Sequence, residues 1–77
     1  MTLHEYIMNF FNINKSLIKQ YFSKIIVNYY DDESEVLVIE ETISDLIAGR
    51  DNFAIDISDM DDISIRTSNN TIYIDVC

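Results

Sequence analysis

Asp62-Ile63-Ser64-Ile65-Arg66-Thr67-Ser68-Asn69-Asn70-Thr71-Ile72-Tyr73-Ile74-Asp75-Val76 is the stretch whose reading decides the fold. Apolar and polar residues alternate on both sides of Asn69-Asn70, the period of a half-buried strand. Asparagine tolerates the positive φ that a tight hairpin turn requires. A two-residue loop there sets Ile65 opposite Ile74 and Ile63 opposite Val76 on one face. The other face then pairs Arg66 with Tyr73 and Ser64 with Asp75, a cation lying across from an aromatic ring. A slip of one residue would put apolar groups opposite polar ones, so the register is specified. Strands are predicted over Asp62–Thr67 and Thr71–Val76.

Upstream, Phe53, Ile55 and Ile57 alternate with Asp56 and Ser58, which predicts a further strand over Phe53–Ser58. Thr42-Ile43-Ser44-Asp45 has the spacing of a capping box and Gly49 is a natural helix stop, so a short helix is expected near 43–48. Before it, the runs Lys24–Tyr30 and Glu35–Glu41 are rich in β-branched and aromatic residues. They are separated by Asp31-Asp32-Glu33-Ser34, which reads as a four-residue hairpin loop.

At the N-terminus, Thr2-Leu3-His4-Glu5 is a second capping box. Leu3, Ile7, Phe10, Phe11, Leu17, Ile18, Tyr21, Phe22 and Ile25 follow at spacings of three, four and seven, one apolar stripe on a helix. Asn12-Ile13-Asn14-Lys15-Ser16 interrupts the stripe. The segment is either one bent helix or two in sequence with Asn14 as the second cap, and we prefer two. The predicted class is α+β: an N-terminal helix or helical hairpin on an antiparallel sheet of about five strands, with one short additional helix. Helices are expected on one face of the sheet and acidic side chains on the other.

The 77 residues suit one hydrophobic core, and with no proline, one glycine and no repeat the chain reads as a single domain, 1–77. An apolar share of 48% is ample for that core. No stretch approaches the ~20 apolar residues of a membrane span, and residues 1–12 lack the pattern of a secretory signal. The single cysteine, Cys77, fits a reducing compartment, so a cytoplasmic location is expected. That would be the cytoplasm of the host cell if the chain is phage-encoded.

Charge is the dominant compositional feature. Fourteen acids oppose five bases, a net of −9. Residues 1–30 carry Glu5 against Lys15, Lys19 and Lys24, a net of +2, whereas residues 31–77 carry thirteen acids against Arg50 and Arg66, a net of −11. Self-repulsion of that size weakens a compact state. Solubility alone needs only a few surplus acids.

Neither a metal site nor a cofactor is expected. One His and one Cys at opposite ends do not make a zinc site. The acidic runs 31–35 and 56–62 lack the glycine and distal glutamate of a calcium loop. Nucleophilic catalysis would need a base beside a nucleophile, yet His4 sits in a first helical turn expected to face solvent, and Cys77 is at the end of the chain. One glycine does not build a phosphate cradle. No enzymatic activity is expected. Residues Tyr6–Tyr21 resemble a helix-turn-helix in rhythm, with Lys15, Lys19 and Gln20 on the second helix, but the acidic remainder repels phosphate and direct DNA binding is not expected.

The carboxylates are then the candidate binding groups: Asp31, Asp32, Glu33, Glu35, Glu40, Glu41, Asp45, Asp56, Asp59, Asp61, Asp62 and Asp75, with Tyr73 as an aromatic contact. Held together on a rigid sheet, they would imitate the charge density of a nucleic-acid backbone and attract a channel lined by Lys and Arg. Tyr29 and Tyr30 could add aromatic contacts at the strand ends.

A short chain that begins Met1-Thr2-Leu3 with an amphipathic helix, continues into acidic strands, and is rich in Ile, Asn, Asp, Lys and Tyr resembles the small inhibitors encoded by phages and mobile elements. These include anti-CRISPR proteins, antirestriction DNA mimics and inhibitors of uracil-DNA glycosylase. The resemblance is one of overall character and carries over no residue role. It implies a stoichiometric inhibitor on the nucleic-acid or PAM-reading surface of a host ribonucleoprotein. The alternative is an acidic antitoxin or accessory subunit that holds one basic protein without mimicry. A homodimer, with an edge strand such as Thr71–Val76 pairing across a two-fold axis, is a third arrangement.

Overall fold

The computed structural model describes residues 1–11, 15–30 and 36–77, with the side chains of 15–17 outside the description. Its elements are α1 (Leu3–Phe11), α2 (Lys15–Tyr21), β1 (Lys24–Tyr30), β2 (Val36–Thr42), α3 (Ile43–Ala48), β3 (Ile63–Ser68) and β4 (Thr71–Val76). The class is α+β, as the sequence predicts. The loop read at 31–34 lies outside the described residues, although the strands it joins do pair antiparallel.

Local chemistry sets the helix ends. The Thr2 hydroxyl accepts from the Glu5 N–H at 3.2 Å while a Glu5 carboxylate oxygen accepts from the Thr2 N–H at 3.3 Å. The two groups satisfy two otherwise orphaned donors of α1. Thr42 caps α3 with its hydroxyl alone, which accepts from the Asp45 N–H at 3.1 Å. Gly49 ends α3 in the left-handed region at φ 73°, its N–H donating to the Leu46 carbonyl at 3.2 Å. A residue with a Cβ would be strained in that conformation.

The four strands lie in the order β2-β1-β4-β3. The C-terminal hairpin has the register deduced from its alternation: Ile63 opposite Val76, Ser64 opposite Asp75, Ile65 opposite Ile74, Arg66 opposite Tyr73. Asn69 takes a positive φ of 56° in the turn. Two expectations are corrected. The sheet is mixed, because β1 and β4 pair in parallel at its centre, Ile25 beside Ile72 and Val27 beside Ile74. Ile25 and Val27 of β1 and Ile72, Ile74 and Val76 of β4 are completely buried, so these two strands take the interior and leave β2 and β3 as edges. Thr71–Val76 is therefore no edge strand and is not free to pair with a second copy.

The second correction concerns Phe53–Ser58, which is not a fifth strand of the sheet. Its alternation holds, with Phe53 and Ile57 buried and Ala54, Asp56 and Ser58 exposed. Its hydrogen bonds run instead to the N-terminal residues. Leu3 donates to the Ile55 carbonyl at 2.8 Å, His4 to that of Phe53 at 3.0 Å, and Ile57 to that of Met1 at 3.1 Å. An Asx turn at Asp51 and another at Asp56 bend the segment at both ends. The sheet thus has four strands among the described residues.

One face of the sheet is covered. Leu3 and Ile7 of α1, Ile18 of α2, Ile43 and Leu46 of α3, and Phe53 and Ile57 pack against Ile25, Val27, Ile72, Ile74 and Val76. Complete burial of each such side chain stabilises by roughly 1.5–3 kcal/mol. The predicted helical stripe is only partly used: Phe10 and Tyr21 are 56% and 66% exposed. Phe10 instead joins an aromatic chain, stacked at 6.4 Å on Tyr6 and edge-on at 5.2 Å to Phe11.

Candidate partner-binding surface

The strand registers divide side chains between two faces, and the face away from the helices is open. Pairing places Val36 beside Tyr30, Asn28 between Val38 and Asp75, and Ile26 between Glu40 and Tyr73. Among the described residues this face is not an acidic field. Its two carboxylates there are both engaged: Glu40 meets the Lys24 ammonium at 3.1 Å, and Asp75 accepts from Asn28 Nδ2 at 3.0 Å and lies 3.5 Å from Arg66 Nε. The Arg66 guanidinium also sits 4.6 Å from the Tyr73 ring centre, the cross-strand contact deduced from the hairpin register. Cationic and anionic groups alternate with Ile26, Tyr30, Val36 and Val38, so the surface is mixed.

The other predicted site residues scatter further. Glu41, one residue from Glu40, turns to the opposite face, where its carboxylate accepts from the Asn52 N–H at 3.2 Å and from Asn52 Nδ2 at 2.6 Å. Asp45 lies on α3, 3.6 Å from Arg50 Nε. Asp56 accepts from the Ser58 hydroxyl at 2.6 Å and the Ser58 N–H at 3.0 Å. Those two hydrogen bonds, the hydroxyl's first, hold its carboxyl below the ordinary value of 3.8. The remainder, Asp31, Asp32, Glu33 and Glu35, lie outside the described residues.

Asp59, Asp61 and Asp62 differ from all of these. All three are exposed, and among the described residues no cation or side-chain donor meets their carboxylates. Asp59 belongs to a turn closed by the Met60 N–H on the Ile57 carbonyl at 3.1 Å, so Asp59 and Asp61 do not share the regular two-residue spacing of a strand. Asp61 and Asp62 are fixed through their backbones. The Asp61 N–H donates to the Cys77 carbonyl at 3.0 Å, and the Cys77 N–H donates to that of Asp62 at 2.9 Å. This stitch holds the acidic turn against the end of the sheet where β1 and β4 finish and β2 begins, the end that also carries Tyr30 and Val36.

Two features escape the sequence reading. His4 does not face solvent freely. It is partly buried, its Nδ1 lying 2.7 Å from an Asp51 oxygen, and the Asp51 side chain is only 3% exposed. The pair borders a cleft of about 310 Å³ lined by Thr2, His4, Glu5, Gly49, Asp51 and Ala54. The lining holds one hydroxyl, that of Thr2, and the capping box occupies it. The Asp51-Asn52-Phe53 sequence signals an Asx turn, which would have drawn attention to Asp51. The second feature is the edge strand β2, whose Val36, Leu37 and Val38 are 47%, 57% and 57% exposed. The signal for it is the unbroken run Val36-Leu37-Val38-Ile39, in which alternation lapses. No helix among the described residues is long and apolar enough to cross a membrane.

No family model, no curated protein and no solved structure gives a significant match to this chain.

Proposed function

We propose that the protein is a stoichiometric inhibitor that occupies the cationic nucleic-acid groove of a basic partner, in the manner of the anti-CRISPR and DNA-mimic proteins it resembles in character. The observation that carries this reading is the division among its carboxylates. Glu40, Asp45 and Asp75 each have a cation of their own chain within 4 Å, whereas Asp59, Asp61 and Asp62 have none among the described residues. A carboxylate already neutralised at home gains little from a second cation. Unpaired carboxylates on a backbone-fixed turn gain the full charge-assisted contact with Lys or Arg. The proposed contact is accordingly the acidic end of the sheet, a smaller surface than the whole acidic inventory. The long-range field of the net charge, −9, speeds encounter with a basic groove.

The test is capture of a nucleic-acid-handling protein or complex from host lysate, with and without duplex DNA. DNA should displace the captured partner, rising salt should weaken it, and joint substitution Asp59→Lys, Asp61→Lys, Asp62→Lys should abolish it. Binding that survives the triple substitution would overturn the reading. One observation favours a second reading, that of an accessory subunit or antitoxin holding a basic protein without mimicry: the apolar edge Val36-Leu37-Val38, for which a phosphate groove has no use. A partner held equally well with saturating DNA present would select it.

A further inference from the structure

The two edges of the sheet are built differently. At β3 the exposed groups are Ser64, Arg66, Thr67 and Ser68, hydroxyls and a cation that discourage another strand from pairing. At β2 the first half of the edge is Val36-Leu37-Val38, about half exposed at each residue, with no strand beyond it among the described residues. Val36 and Val38 stand on the open face, and Leu37 stands on the helix-bearing face, where it is nonetheless 57% exposed. A strand added here would bury apolar side chains on both of its faces while completing the backbone ladder.

A second copy of the chain does not suit this edge. The apolar run is preceded by Glu33 and Glu35 and followed by Glu40 and Glu41. By sequence order alone, antiparallel pairing of two copies along Val36–Val38 brings the acidic flank of each toward the opposite acidic flank of the other. Like charges directly opposite each other destabilise a pair, and two chains of −9 repel at longer range. Charge complementarity instead selects a strand whose apolar centre is flanked by Lys or Arg on both sides. The geometry points to β2 as a docking edge for such an extended basic–apolar segment of a partner protein, added antiparallel along Val36–Glu40. The inference deepens the proposed function, whose basic partner it assumes, and gives that partner a second point of attachment.

The probe is a synthetic peptide, Lys-Lys-Val-Ile-Val-Arg-Lys, titrated into the intact protein and read by amide chemical shifts and hydrogen exchange. Saturable binding should protect amides within Val36–Glu40. Replacing the flanking bases by Glu, or N-methylating the central residues so that the ladder cannot form, should remove it. Val38→Lys should weaken binding about tenfold or more, the loss expected when one buried valine contact is replaced by charge. Thr67→Lys on the opposite edge should leave it unchanged, both variants being checked for native circular dichroism. Absence of saturable binding, shifts confined to residues 59–62, equal affinity for the acidic peptide, or a concentration-dependent dimer that protects β2 without peptide would each overturn the inference. The peptide reports on β2 alone and the Asp59, Asp61, Asp62 variant on the acidic end, so either idea can fail while the other stands.

Discussion

The Asp51 carboxylate bridges two parts of the chain: one oxygen lies 2.7 Å from His4 Nδ1 and the other accepts from the Phe53 N–H at 2.9 Å. It fixes the segment after α3 to the first turn of α1, next to Phe53, a completely buried core residue. Removing a buried acceptor strands its donors and costs about 1–3 kcal/mol. Asp51→Ala should lower stability by that amount in urea unfolding. Asp51→Asn, which keeps an acceptor for Phe53, should cost less. A cycle with His4→Ala should show coupling, and strict additivity would mean that the contact contributes nothing.

Gly49 tests the stop signal of α3. A Cβ built there meets nothing within 4 Å, so substitution is penalised by the backbone alone. Gly49→Ala should destabilise by about 1 kcal/mol and Gly49→Asn by less, because asparagine enters the left-handed region more readily. Equal thermal midpoints for all three proteins would show that the φ of 73° carries no strain.

Asn69 makes the corresponding test of the hairpin. At a φ of 56°, Asn69→Gly should be neutral or mildly stabilising. Asn69→Val, β-branched in the same conformation, should cost roughly 1–2 kcal/mol. The strand register should survive both changes, since the pairing of Ile65 with Ile74 sets it independently of the turn.

Asp56 gives a pH dependence with a definite sign. Its carboxyl is held below 3.8 in the fold, chiefly by the hydrogen bonds from Ser58. A depressed pKa contributes stability that is present above the unfolded value and lost as pH falls through the folded one. The stability gap between the wild-type protein and Asp56→Asn should therefore be widest at neutral pH and close on acidification below about pH 4. A gap that widens in acid would reverse the assignment. Ser58→Ala should raise the Asp56 titration midpoint toward the ordinary value, read from its carboxyl resonance.

How much of this was legible in the sequence depends on the range of the interaction. The Thr2 capping box, the Thr42 cap, the glycine stop and the register of β3 with β4 are set by residues close in sequence, and each is found where its local pattern places it. The parallel pairing of Ile25 with Ile72 leaves no local trace, because nothing in either strand's alternation names its neighbour. Phe53–Ser58 shows the same gap from the other side: its inward and outward residues are correctly read, while its partner is the chain's own first residues. The acids were countable but not assignable. Composition gives fourteen carboxylates and cannot say that Lys24, Arg50 and Arg66 each engage one of them.

The seam between β1 and β4 has a consequence for how the protein is made. Asn28 and Asp75, hydrogen-bonded across it, are 47 positions apart. Loop closure over that distance must precede the contacts that reward it, which slows folding relative to a sheet of successive hairpins. During synthesis the hairpin of β1 and β2 therefore waits, with one long side of β1 unsealed, until Val76 has left the ribosome. A chain cut before Thr71 would lack a strand at the middle of the sheet and leave β1 and β3 without the neighbour that joins them.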